Sequence, residues 1–335
     1  MPTHLVTAVA PGRVNLIGDH TDYTGGLVMP MAITLSTVVS GTRGGRIVRL
    51  VSEQVEEEAV IPLDVEDPFT MTPSWARYVA GVVAIMRPTQ GFTGTVKSTI
   101  PVGSGLSSSA ALEVSVALTL GFEGSRIELA RLCQRAEQVA SGVPCGIMDQ
   151  LASAAGVAGK ALLIDCHTLG IEEVPIPAAV EVVVIHSGQE RALASSAYAE
   201  RTAQCNDAEE VVGPLRLIHD VAVLDAITDD LVRARARHVV TENERVRRFA
   251  AALRAGDFSA AGTLMNQSHA SLAGDYAVST DALDSLVERL RAIPGVLGAR
   301  LTGAGFGGCV VALTAPGVLN EGWRVRPAAG AALIS

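Results

Sequence analysis

The chain has 335 residues, enough for two ordinary domains with substantial cores. Hydrophobic residues make up 48% and charged residues 18%, which excludes a disordered chain, and a net charge of −9 gives nucleic-acid binding no electrostatic footing. The five cysteines (133, 145, 166, 205 and 309) are odd in number, scattered and without a C-x-x-C pair, which argues against a disulfide framework or zinc site and fits a reducing compartment.

The N-terminal "MPTHLVTAVAPGRVN" has no basic stretch before an apolar core, so no signal peptide is expected. Strands are predicted at "LVTAVA", "TLSTVVSG", "RIVRLVS", "EEEAVIPL" and "GTVKSTIP", interrupted by a helix in "PSWARYVAGVVAIMRP". A further helix follows the serine-rich stretch and stops at Gly121. The next opens with a capping box of Ser125 and Glu128. "KALLIDC" and "VEVVVIHS" read as short buried strands. Residues 190 to 293 are mostly helical, with turns near Gly213, Gly256 and Gly274; the arginines of "LVRARARHVV" there read as a solvated face. The chain closes on the strands "GARLT" and "CVVALT". Strands and helices mix without regular alternation, which predicts an α+β fold. Two prolines and weak periodicity in "TLGIEEVPIPAAVE" mark a domain boundary near 170 to 180. No apolar run reaches about 18 residues, so no membrane span is expected.

Three stretches carry chemistry. In "PVGSGLSSSAALE", Gly103 and Gly105 let the backbone approach a ligand, and Ser107, Ser108 and Ser109 offer hydroxyls and amides at a helix N-terminus, which favours an anion. The simplest occupant is a phosphate; the plain alternative is an over-provided N-cap. No Walker lysine follows. The G-x-G-x-x-G of Gly303, Gly305 and Gly308 precedes a strand, so it is no dinucleotide site but a tight loop between strands. "APGRVNLIGDHTDYTGG" gathers Arg13, Asn15, Asp19, His20, Asp22 and Tyr23, donors and acceptors suited to several hydroxyls or simply to a turn. "EQVASGVPCGIMDQ" places Glu137 near one helix end and Asp149 at the start of the next.

Together, and in this order, these motifs resemble the galactokinase branch of the GHMP sugar-kinase superfamily. "GRVNLIGDHTDY" is similar to the galactokinase signature, "PVGSGLSSSAALE" to the ATP loop and "LTGAGFGGC" to the third superfamily motif. "GVPCGIMDQ", "KALLIDC", "SSAYAER" and "MNQSHASLAGDY" are similar to stretches particular to galactokinases. The resemblance implies an N-terminal domain over 1–175, like domain 2 of ribosomal protein S5, and a ferredoxin-like C-terminal domain over 176–335, with the active site between them. It implies a cytoplasmic, monomeric enzyme that uses ATP and Mg²⁺ to phosphorylate galactose at its anomeric hydroxyl.

The resemblance also implies roles. Asp149 is the base and Arg13 stabilises the transition state. Gly103, Ser104, Gly105, Leu106, Ser107, Ser108 and Ser109 hold the triphosphate. Ser109 and Glu137 are the metal ligands, and Asp19, His20, Thr21, Asp22 and Tyr198 contact the sugar. Two departures stand out. The family signature has Glu where this chain has Asp19, which draws the carboxylate back by about 1.5 Å, one carbon–carbon bond. The family's helix between "CVVALT" and "WRVRPAAGA" is expected to be missing or very short, leaving a thinner layer. Two other readings stay open: the same chemistry on another sugar, and a non-catalytic sugar sensor, against which Asp149, Arg13, Ser109 and Glu137 argue.

Overall fold

The computed structural model describes residues 5–190 and 194–334, with no side-chain description at 194 and 195. The first four residues of the N-terminal stretch and the Ser195 side chain of "SSAYAER" therefore lie outside it. The chain opens with the long strand β1 (Leu5–Asn15), the short β2 (Leu27–Val28) and the long β3 (Pro30–Arg43). Then come β4 (Ile47–Ser52), β5 (Ala59–Pro62), α1 (Ala76–Met86) and β6 (Phe92–Ser98). Three helices follow: α2 (Ser108–Thr119), α3 (Arg126–Ser141) and α4 (Met148–Ala155). The capping box expected at Ser125 and Glu128 is formed in full.

Next are β7 (Lys160–Asp165), β8 (Ile171–Pro175) and β9 (Glu181–His186). The stretch read from sequence as a link thus contains a strand. β8 sits at the edge of the sheet ordered β2-β7-β8 with mostly exposed side chains, which is why it lacks a clear apolar period. The helices α5 (Ala194–Val212), α6 (Asp230–Ala255), α7 (Phe258–Ala273) and α8 (Asp281–Arg291) come next. The chain ends on β10 (Val296–Thr302), β11 (Cys309–Thr314), β12 (Trp323–Val325) and β13 (Ala332–Leu333).

A six-stranded sheet, β13-β1-β3-β6-β4-β5, packs against α1, α2 and α4, with α3 lying on those helices, and a four-stranded antiparallel sheet, β10-β11-β9-β12, packs among the later helices. The C-terminal segment returns to the first sheet, with Leu333 opposite Ala8 and Pro327 bridging Ile33. No helix intervenes between β11 and β12, as expected. The expected thinning does not expose the sheet, however. Val182, Val184, Val311 and Leu313 on one face and Val183, Val310 and Ala312 on the other are all buried. Among the described residues, no helix is long and apolar enough to cross a membrane.

Candidate active site

The end of β1 and the turn after it, α3 and the link to the start of α4, Tyr198 of α5 and the β10–β11 loop converge on one cleft, and the serine loop before α2 lies beside it, joined through Arg13 and Asp149. It is open to solvent, holds a cavity of about 130 Å³, and is lined by Arg13, Asp19, His20, Asp22, Glu137, Asp149 and Tyr198, together with Gly303 and Ala304. Arg13 is 4% exposed. Its Nε donates to Asp149 Oδ1 and its Nη2 to Oδ2, both at 2.8 Å, while Nη1 donates to the Gly105 carbonyl at 2.7 Å. One guanidinium therefore ties the end of β1 to the base candidate and to the glycine-serine loop.

The serine loop departs from a simple N-cap. Gly103, Gly105 and Ser107 have φ of 72°, 75° and 60°, a left-handed sequence that glycine tolerates and serine adopts only when held. Ser107 precedes α2 yet no side chain caps the helix. Its hydroxyl donates to Asp149 Oδ2 instead. Ser104 is buried with its hydroxyl on the Pro101 carbonyl, and Leu106 is a core residue whose carbonyl accepts from the Arg13 amide. These two shape the loop from behind; Ser108 and Ser109 begin the helix.

Ser109 Oγ donates to Glu137 Oε1 at 2.9 Å, so the two metal-ligand candidates are adjacent. Gln150 donates to the other oxygen of Glu137 and, at 3.3 Å, to the fully buried Glu113. Burial, then the charge of Asp149, pushes the Glu137 pKa up to about 7. Asp22 is likewise pushed up to about 7 by burial and by the carboxylates of Asp149 and Asp19. A hydroxyl beside a carboxylate is a hard-oxygen pair of the kind that fits Mg²⁺, which takes one or two protein carboxylates plus substrate phosphates and water.

In the turn after β1, Asp19 is 1% exposed. Its Oδ1 accepts from the Gly303 amide at 2.9 Å and its Oδ2 pairs with Arg300 at 2.5 Å, so the shortened carboxylate is drawn onto the neighbouring sheet. Burial raises its pKa, against the lowering effect of Arg300. His20 Nε2 faces the Ala304 carbonyl at 3.1 Å. A carbonyl only accepts, so Nε2 carries the proton and Nδ1 accepts from the Tyr23 hydroxyl at 3.0 Å. Burial holds His20 neutral, its pKa lowered to about 3. Tyr198 stands over His20, ring centroids 5.6 Å apart. Thr21 does not join the cleft: it is fully buried, and its hydroxyl lies 2.7 Å from the Leu27 carbonyl and 2.9 Å from that of Gly18, holding the turn.

Sequence reasoning missed several members. Val143, Cys145, Gly146 and Met148 complete the wall, and Arg300, His238 and Tyr276 stand behind it. A Cβ on Gly146 would lie 1.9 Å from Asp22 Oδ2, so only glycine leaves room there for the carboxylate. Gly146 and Tyr276 lie within the family-like stretches "GVPCGIMDQ" and "MNQSHASLAGDY", but residue type and spacing alone do not mark them as part of the site. The Gly303–Gly308 stretch is the tight loop expected, joining β10 to β11.

Residues 2–43 match the galactokinase galactose-binding signature, 77–157 the GHMP kinase N-terminal domain and 249–321 the GHMP kinase C-terminal domain. The two-domain α+β architecture is thus that of a GHMP kinase. A galactokinase of Roseiflexus is 46% identical over 325 residues, covering 91% of this chain and 82% of that one. The human galactokinase is 43% identical, with the same shares covered. The crystal structure of Lactococcus lactis galactokinase complexed with galactose superposes with a TM-score of 0.89 at 34% identity, covering 98% of this chain and 95% of that one. The chain belongs to the galactokinase family.

Proposed function

We propose that the protein transfers the γ-phosphoryl group of ATP to the anomeric hydroxyl of α-D-galactose, giving galactose 1-phosphate and ADP. The observation that carries this reading is the double hold on Asp149, by the Arg13 fork and by Ser107 of the serine loop. A carboxylate has about four acceptor positions; three are used here, leaving one for a substrate hydroxyl. Asp149 takes that proton as the oxygen attacks the phosphorus. Arg13 keeps the carboxylate oriented and offers positive charge to the transferring group. Phosphoryl transfer asks for such positioning and charge neutralisation more than for covalent help.

Gly103 to Ser109 supply the phosphate cradle: the positive-φ backbone opens the loop and the uncapped start of α2 turns its amides toward an anion. Ser109 and Glu137 would hold Mg²⁺, which neutralises phosphate charge when bound. Asp19, His20, Asp22 and Tyr198 form the sugar side, with Thr21 supporting the turn. The domain division at 175/176 belongs to the same reading, with the C-terminal segment crossing back to the first sheet. So do a cytoplasmic location, supported by five free cysteines, and a monomeric state, supported by a cleft built within one chain. The test is ADP release across a panel of aldoses with ATP and Mg²⁺. Galactose should give the highest kcat/KM; another aldose in that place would leave only the kinase class standing, and no ADP release with any sugar would favour a sensor.

A further inference from the structure

We propose that Gln134 and Gln138 jointly position the wall of the sugar pocket by gripping one carbonyl, that of Cys145. The inference rests on the sugar-pocket reading above. The two glutamines lie four residues apart on α3 and so share a face of the helix. Their Nε2 groups donate to the same oxygen, at 3.1 Å from Gln134 and 3.0 Å from Gln138. A carbonyl oxygen has two lone pairs, and here both are taken by side-chain amides.

The gripped segment, residues 142–147, joins α3 to α4; apart from the grip, its Val143 amide donates to Ser141 Oγ and its Ile147 side chain is buried in the core. Gly142 ends α3 in the left-handed region, Pro144 has no N–H to donate, and Ile147 gives α4 no side-chain cap. Within the segment, the Cys145 amide reaches only as far as the Val143 carbonyl. Yet this link carries Val143, Cys145 and Gly146 into the cleft. Gly146 lies against the Asp22 carboxylate with no space for a single added carbon. A small shift of the Cys145 peptide is therefore a shift of the surface against which Asp22 is set. Asp149 is anchored separately by Arg13 and Ser107, so the grip acts on sugar binding more than on the chemical step.

The experiment compares Gln134→Met, Gln138→Met and the double variant, which keep side-chain bulk while removing the donors. Each single variant should raise KM for galactose about threefold and the double variant about tenfold or more, the ordinary worth of one and two neutral hydrogen bonds. The kcat should stay within about threefold, since the lost contacts serve ground and transition states alike. Without any ligand, amide hydrogen exchange at residues 143–147 should be fastest in the double variant. Unchanged exchange in the double variant overturns the grip. Faster exchange with unchanged KM, or a fall in Tm alone, also overturns the proposal, because the link would then be structural only. Failure of the sugar reading itself shows separately, as absent galactose turnover in the native protein.

Discussion

Arg13 and Asp149 meet side-on, two N–H groups on two oxygens at 2.8 Å, although 136 positions separate them in sequence. Lysine keeps the charge at position 13 but not the fork. Arg13→Lys should therefore lower kcat about a hundredfold, the usual cost of one preorganised donor in a phosphoryl or acyl transfer site. The dissociation constant for galactose, measured by calorimetry, should stay within about threefold. A loss confined to sugar binding would take Arg13 out of the transition state.

Glu137 carries the metal prediction. With its pKa raised to about 7, it is protonated below that pH and ionised above it. A metal ligand must be deprotonated, so the Mg²⁺ concentration for half-maximal rate should rise as pH falls, approaching about tenfold per unit below the pKa. Glu137→Gln should raise the Mg²⁺ requirement most above pH 7, where the native carboxylate is ionised, and flatten this dependence. Identical titrations in the two proteins would return Glu137 to a purely structural role.

Asp19 and Arg300 carry a stability prediction. Both are buried, and their ion pair joins the turn after β1 to strand β10. Arg300→Met strands a buried carboxylate and should cost about 3–5 kcal/mol in denaturant unfolding. Asp19→Asn with Arg300→Met should recover part of that, because no charge is then left unpaired. Simple additivity of the two single losses would show that the pair is not coupled.

Much of this was legible in the sequence, and the parts that were not share a cause. The capping box at Ser125 and the buried strands β7 and β9 follow from local periodicity and turn chemistry, which lie within a few residues. The grouping of Arg13, Asp149 and the serine loop came from motif order, which stands in for distance. β8 escaped because an exposed edge strand shows no apolar period. Arg300 escaped because an arginine is ordinarily solvated, and the approach of Asp19 from the turn after β1, with the Asn15 carbonyl, is what makes it a core residue. Leu106 and Thr21 sit inside recognised motifs yet face the protein, since a motif marks a backbone path and not the direction of each side chain.

Gly146 makes that directional point testable. Gly146→Ala places a carbon where the Asp22 carboxylate stands, and Asp22 must turn away. We expect KM for galactose to rise about tenfold or more, with kcat changed far less, as for a contact made equally in ground and transition states. A fall in kcat at constant KM would place Asp22 beside the reacting oxygen instead.

The most direct measurement of the central claim is NMR of the product formed from ATP and galactose carrying ¹³C at the anomeric carbon, using the native protein and Asp149→Asn in parallel. The native protein should give one phosphorus signal coupled to that carbon. The variant keeps the side-chain volume but cannot take up the proton, so it should form the product at least about a hundredfold more slowly while still binding galactose within about tenfold. Phosphate on any other oxygen, or near-native turnover by the variant, would contradict the assignment of Asp149 as the base at the anomeric hydroxyl.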